Sequence, residues 1–267
     1  MTEILRLAGI SKRFHAGTPS ETVALRGVDL TLTAGDFVTI IGSNGAGKST
    51  LLKTIAGMIT PDAGTIRLEG RDITAWPVHR RAAVIGRIAQ DPADSTCAPM
   101  TIEENLAMAE RRGMPRGLRR AVTAASRTRF AGALAPIGLG LETRLSVRVA
   151  ALSGGQRQAL ALTMATLAGA RLLLLDEHLA ALDPRTAEIV MALTARVVAE
   201  RKLTTLMVTH KMQDAIRHGN RLIMMHAGAI ILDVRDAGKA ALTVDALVAR
   251  FHQAGAAMTE DRVLLAD

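Results

Sequence analysis

The 267 residues are about half apolar but only 2 % aromatic, with no tyrosine and one tryptophan, so a core of this size must be built from Leu, Ala, Ile, Val and Met. The formal charge of +8 admits an acidic membrane surface or an anionic ligand. Nucleic acid is disfavoured, because no aromatic residues are interleaved with the basic ones to stack on bases. One cysteine, Cys97, excludes an internal disulfide framework and fits a reducing compartment.

The opening MTEILRLAG has no basic segment followed by an apolar one, so it does not read as a signal peptide. No stretch approaches bilayer-spanning length; RLIMMHAGAIILDV, near Arg221–Val234, comes nearest. The chain is expected to be soluble on its own. EILRLAGI and VDLTL read as short strands, followed by a turn at Ala34-Gly35-Asp36 and the buried-type strand FVTII. A helix is predicted over Leu51–Met58, a turn and strand in PDAGTIRLEG, and a strand over Ala83–Gln90.

From about Asp91 to Ser153 the pattern becomes helical, with Thr101 placed to cap TIEENLAMAERRG. The densest basic stretch, Arg111–Arg129, reads as a solvated helical face, with lipid headgroups or a partner protein as the alternatives. Order then returns: helix Gly154–Ala168, strand LLLLD, helix Pro184–Glu200, strand TTLMVTH, and strands RLIMM and AIILDV. Leu160, Met164 and Leu167 recur at helical spacing and mark a buried face. The tail from about Ala237 reads as a short helix and little else. The fold expected is α/β with a parallel sheet, an antiparallel β part on the N-terminal side and an inserted helical part.

Four features carry chemistry. Gly42-Ser43-Asn44-Gly45-Ala46-Gly47-Lys48-Ser49 matches G-x-x-x-x-G-K-[ST] between a predicted strand and a predicted helix. Its glycines let the backbone wrap a phosphate, Lys48 reaches the β/γ-phosphates, and Ser49 offers a hydroxyl to Mg²⁺. The run Leu172–Asp176 delivers Asp176 to hold Mg²⁺ and then Glu177 to polarise an attacking water. His210 and Gln90 end strands. The imidazole can bond a γ-phosphate, and the amide can reach Mg²⁺ or the attacking water. The fourth feature is LSGGQ, Leu152–Gln156, a second glycine-rich helix start with anion-binding character.

In this order the motifs resemble those of the ATP-binding subunits of ABC transporters, over roughly Ile4 to Val234. Gly42–Ser49 resembles the Walker A loop, with Thr50 following it; Gln90 the Q-loop; Leu152–Gln156 the signature; and Leu172–Glu177 Walker B with its catalytic carboxylate. Asp183, in Ala181-Leu182-Asp183, resembles the D-loop, and His210 the switch histidine. The resemblance implies an ATPase using ATP and Mg²⁺, with Ser49, Gln90 and Asp176 at the metal and Phe14 and Val23 at the adenine. It also implies that Ser153, Gly154, Gly155 and Gln156 act on ATP held by a second copy, in a head-to-tail homodimer. An integral membrane permease is implied as partner and, for an importer, an extracytoplasmic substrate-binding protein. The place implied is the cytoplasmic face of the bacterial inner membrane, peripherally bound. Residues 1–236 would then be the ATPase domain, with residues of about 91–153 inserted and 237–267 a helical tail.

Many family members have Pro after the catalytic Glu where this chain has His178. DEHLAALDP and VTHKMQDAIRHGNRLIMM are similar to ATPase subunits of bacterial uptake systems linked to amino acids such as tryptophan or tyrosine. An exporter or lipoprotein-release ATPase would share every catalytic residue. A non-transport ABC ATPase of DNA repair or translation is disfavoured, because the chain has one Walker A loop, one signature and no heptad insertion.

Overall fold

A computed structural model of the chain describes residues 2–114, 117, 118 and 120–253. They form two compact units, one made of residues up to 75 with those from 206 onward, the other of residues 76–205.

In the first unit, two twelve-residue strands, β1 (Glu3–Phe14) and β2 (Thr22–Thr33), pair antiparallel. Both are longer than the short strands expected from sequence. The ladder runs on through register shifts between Leu7 and Arg13, where Gly9 and Gly27 take positive φ. Asp29 Oδ1 accepts from the Gly9 amide and Ser11 Oγ from that of Gly27. Such bulges let a strand continue while breaking the polar–apolar alternation by which a sequence announces it. With β4 (Ala63–Leu68) and β5 (Arg71–Asp72) these strands make a sheet ordered β2-β1-β4-β5.

β3 (Phe37–Gly42) is buried over its four central residues and runs parallel to β9 (Arg221–His226), pairing Val38 with Arg221 through Gly42 with Met225. β9 turns antiparallel into β10 (Ala229–Arg235) through Ala227 and Gly228, both of positive φ, the conformation of a type I′ hairpin. Helix α1 (Lys48–Ile55) starts three residues before the predicted helix, because Gly47, left-handed at φ 96°, leads the loop directly into it. After α7 (Met212–Arg217) and α8 (Asp236–Ala240), residues 244–253 are also helical. The tail therefore holds more than one short helix: Leu247 is fully buried with Ile41, Leu222 and Met224, and Phe251 packs on the same cluster.

The second unit begins with α2 (Val78–Arg81) and β6 (Ile85–Ile88), which pairs parallel with β7 (Leu172–Asp176). Between them lie α3 (Ile102–Glu110), α4 (Ala124–Leu134) and α5 (Gly154–Leu167). These helices close over Leu106, Phe130, Leu134, Leu160 and Met164, with Leu167 partly buried beside them, as the helical spacing predicts. Thr101, Thr123 and Ser153 each open a helix with a reciprocal capping box, which satisfies two terminal N–H groups apiece. α6 (Pro184–Arg201) follows, then β8 (Thr204–Val208), within which the division between the units falls.

The basic stretch is only partly a solvated face. Arg127 makes two hydrogen bonds to Glu103, and Arg129 two to Glu110. Arg112 turns inward and donates to the Met164 carbonyl. Arg116 and Arg119 lie outside the described residues. Glu103 is buried, and its hydrogen bonds from Arg127 hold its carboxyl below the usual range.

Candidate functional site

The Gly42–Ser49 loop is shaped by backbone packing on three sides. A Cβ on Gly42 would lie 2.4 Å from the Met225 carbonyl oxygen, and one on Gly47 would lie 2.3 Å from that of Ala24. Only glycine allows these approaches. Gly228 N–H donates to the Ala46 carbonyl at 3.1 Å, and the Ala46 amide donates to Ser43 O. Ser43, Asn44 and Gly45 are exposed, while Ala46, Gly47 and Lys48 are buried. The Lys48 ammonium sits over the loop, donating to Gly42 O at 2.8 Å and Ser43 O at 2.9 Å. Ser49 and Thr50 open α1, half-buried. The loop thus pairs a helix N-terminus with a cation at its centre, the arrangement that binds phosphate.

Phe14 ends β1 opposite Thr22, beside the Arg13–Val23 pair, and both Phe14 and Val23 are half-buried. Val23 precedes Ala24, whose carbonyl packs on Gly47, so β2 brings this patch toward the phosphate loop. The Lys12 ammonium lies 5.8 Å from the Phe14 ring centre. His210 does not end a strand: β8 stops at Val208, and His210 lies exposed in the bend after it. The Thr209 amide donates to Ile40 O, which fixes that bend beside β3.

In the second unit the expected strand ending at Gln90 is shorter, stopping at Ile88. Gln90 is exposed beyond it, while the neighbouring Ala89 amide is held by Ser95 Oγ at 3.0 Å. Asp176 ends β7, only 3 % exposed. Arg87 Nη2 approaches its Oδ2 at 3.9 Å. Sequence reasoning missed Arg87, although its register could have found it: Arg87 pairs with Leu174, and Asp176, two residues on, shares that face. Glu177 follows with a left-handed φ of 46°, rare for a residue with a long side chain.

The signature start resolves into a capped helix. Ser153 Oγ accepts from the Gln156 amide, and Gln156 Oε1 accepts from that of Ser153. This box takes the amides of Ser153 and Gln156 and not those of Gly154 and Gly155, which belong to the first turn, where amides have no intrahelical acceptor. A Cβ on Gly155 would lie 2.4 Å from Thr186 Cγ2, and one on Gly154 3.0 Å from Leu182, so the signature packs on the segment that opens α6. There Asp183 is the N-cap and accepts from the Thr186 amide at 3.0 Å. These hydrogen bonds with Thr186 hold its carboxyl below the usual range.

His178, expected only to mark a subgroup, is 3 % exposed, with Nε2 3.4 Å from Thr194 Oγ1. Burial pushes its imidazole down to about 4, so it stays neutral at neutral pH. Gln90 and Asp176 of the second unit carry amide and carboxylate oxygens and Ser49 of the first a hydroxyl, each a hard donor of the kind Mg²⁺ takes. The carboxylate among them already draws a guanidinium.

Comparison with known proteins identifies the family. Residues 25–180 match the family model described as ABC transporter. The chain is 41 % identical over 251 residues to the tyrosine transport ATP-binding protein of Clostridioides difficile (strain R20291), covering 94 % of this chain and 100 % of that one. It is 36 % identical over 237 residues to the lipoprotein-releasing system ATP-binding protein LolD of Ruegeria sp. (strain TM1040), covering 86 % and 99 %. Among solved structures, the ADP conformation of MJ1267, an ATP-binding cassette of an ABC transporter, superposes with a TM-score of 0.78 at 26 % identity, covering 94 % of this chain and 99 % of that one. A dimeric post-hydrolysis state of the cassette MJ0796 bound to ADP and Pi gives 0.74 at 26 % identity, covering 87 % and 98 %. The chain belongs to the ABC transporter family and is an ATP-hydrolysing subunit of that kind.

Proposed function

We propose that two copies of this chain sandwich ATP head to tail, and that closing and reopening of the pair drives import of a small solute of the amino-acid class through a separate membrane permease. The observation that carries the dimer is the presence in one chain of two anion-ready helix starts, the Lys48 loop and the Gly154-Gly155 turn, of which one suffices for the chain's own nucleotide. The amino-acid class rests on the full-length likeness to the tyrosine transport protein.

In this reading residues 1–236 are the ATPase domain, with about 91–153 inserted, and 237–267 are a tail. Phe14 and Val23 face the adenine, residues 42–50 hold the phosphates, and Glu177 polarises the attacking water while His210 orients it. Ser153, Gly154, Gly155, Gln156 and Asp183 act on the partner's ATP. Ser49, Gln90 and Asp176 would hold Mg²⁺, which when bound offsets phosphate charge.

The permease docks in a cleft of about 720 Å³ beside α3, where Met100, Met108, Met114 and Val122 line the wall together with Glu104 and Arg111. Met108 is 50 % and Met114 59 % exposed there, more apolar surface than a solvated helix needs. Among the described residues no helix is long and apolar enough to cross a membrane. The reading therefore puts the chain at the cytoplasmic face of the inner membrane by way of its partner, with a substrate-binding protein on the other side. The second reading, release of a lipoprotein rather than import, is favoured by the likeness to LolD.

The test is Glu177→Gln: turnover is lost while ATP still binds and converts the purified variant to a dimer. A variant that stays monomeric with ATP and hydrolyses normally overturns the assignment.

A further inference from the structure

We propose that His178 is a positioning residue for hydrolysis: its buried imidazole, hydrogen-bonded to Thr194 on α6, holds the left-handed backbone of Glu177 and so aims the Glu177 carboxylate. The proposal rests on the reading of Glu177 as the catalytic group.

The argument begins with the backbone. Glu177 sits at φ 46°, a region that L residues with long side chains leave unless neighbouring structure holds them there. Whatever fixes the next residue therefore fixes where this carboxylate points. That residue is His178, only 3 % exposed and two residues past the last strand residue, Asp176.

The hydrogen-bond chain then assigns its proton. Thr194 is fully buried, and its hydroxyl donates to the Val190 carbonyl at 2.8 Å. With its one proton used, Thr194 Oγ1 can only accept from His178 Nε2, 3.4 Å away. Nε2 of the imidazole thus carries a proton, and the bond has a direction, from the loop to the helix.

A second tie completes the clamp. Asp183 caps the same helix by accepting from the Thr186 amide. Thr186 and Thr194 are eight residues apart on α6, about 12 Å along the helix axis. The segment from Glu177 to Asp183 is therefore pinned to one rigid element at two separated points. Between them it is tightened by turns, Ala180 N–H to Glu177 O at 2.9 Å and Leu182 N–H to Leu179 O at 3.2 Å. Release of the His178 tie frees the end of the segment that bears the carboxylate and leaves the Asp183 end in place.

The experiment measures steady-state ATP hydrolysis of the purified full chain as Thr194→Val, His178→Phe and His178→Gln, with Glu177→Gln as reference. Thr194→Val keeps the shape and removes the acceptor; His178→Phe keeps a ring and removes the N–H; His178→Gln keeps an N–H donor. The first two are expected to lower kcat on the order of tenfold, as a misaimed group does. KM for ATP should be unchanged, as should ATP-driven dimerisation when each is combined with Glu177→Gln. His178→Gln should recover a substantial part of kcat.

A kcat within twofold of wild type in Thr194→Val or His178→Phe overturns the proposal. So does a rise in KM matching the fall in kcat, or failure of Thr194→Val and His178→Gln alike to fold, since each of these marks a purely structural residue. If Glu177→Gln still hydrolyses ATP, the catalytic reading itself is lost. If Glu177→Gln is dead and Thr194→Val turns over normally, only the positioning role is lost.

Discussion

Gly155→Ala tests whether the signature helix is locked to α6 by steric fit. The added Cβ would lie 2.4 Å from Thr186 Cγ2, whereas the next nearest atoms, Thr186 Cβ and Val190 Cγ2, are both at 3.9 Å. Carbon atoms pack no closer than about 3.5 Å, so a single methyl group carries the whole conflict, a shortfall of roughly 1 Å. Thr186 cannot retreat as a unit, because its amide is bonded to Asp183. It must either leave its rotamer, at about 0.5–1.5 kcal/mol, or push two helices apart, with overpacking costs of about 1–3 kcal/mol. The helix preference of Ala over Gly returns at most about 1 kcal/mol.

A net loss of about 1–2 kcal/mol is therefore expected for Gly155→Ala alone. Thr186→Ser removes the offending methyl and keeps both the hydroxyl and the capped amide. In that background Gly155→Ala should be neutral or stabilising, a coupling of about 1–3 kcal/mol. Urea unfolding followed through Trp76, the one tryptophan and part of the 76–205 unit, reads all four corners of the cycle. A coupling below about 0.5 kcal/mol would refute the steric lock.

Three further outcomes are expected. Unfolded His178 takes up a proton near pH 6.5 and the folded residue only near 4, so stability is unaffected by this group above pH 6.5 and falls as pH drops from 6.5 to 4. The loss is about 2 kcal/mol by pH 5, and urea midpoints at pH 7 and 5 should show it in wild type and not in His178→Gln. Met108→Glu, which puts a charge in the α3 cleft, should leave ATP hydrolysis of the isolated chain unchanged and abolish co-purification with the permease; retained co-purification would move the docking surface elsewhere. Vesicles rich in anionic lipid should not pellet the isolated chain at physiological salt, because Arg127 and Arg129 are already paired.

The phosphate loop, the acidic strand end and the Thr101 cap were legible because each is local: their residues lie within a few positions of one another and the geometry follows from spacing. What escaped is set by distant partners. Arg127 and Arg129 meet Glu103 and Glu110, 24 and 19 residues away, which no run of basic residues announces. His178 meets Thr194, 16 residues further on and within α6. Gln90 and His210 were placed on strand ends because apolar pattern continues past the last ladder bond; β6 and β8 each stop two residues earlier. β1 and β2 were read short for the opposite reason, since bulges at Gly9 and Gly27 scramble the alternation while the pairing persists.

The hairpin tip at Gly228 has a consequence for the order in which the protein is made. Its amide holds Ala46 O, its carbonyl accepts from the Arg26 amide, and the strand leading to it lies along β3 with Met225 O against Gly42. The phosphate-binding sequence therefore leaves the ribosome about 180 residues before the segment that braces it. A nascent chain ending short of Gly228 carries every residue of the loop without the wall that shapes it. The wall of the loop is therefore completed late in synthesis, after the signature and α6 have been translated.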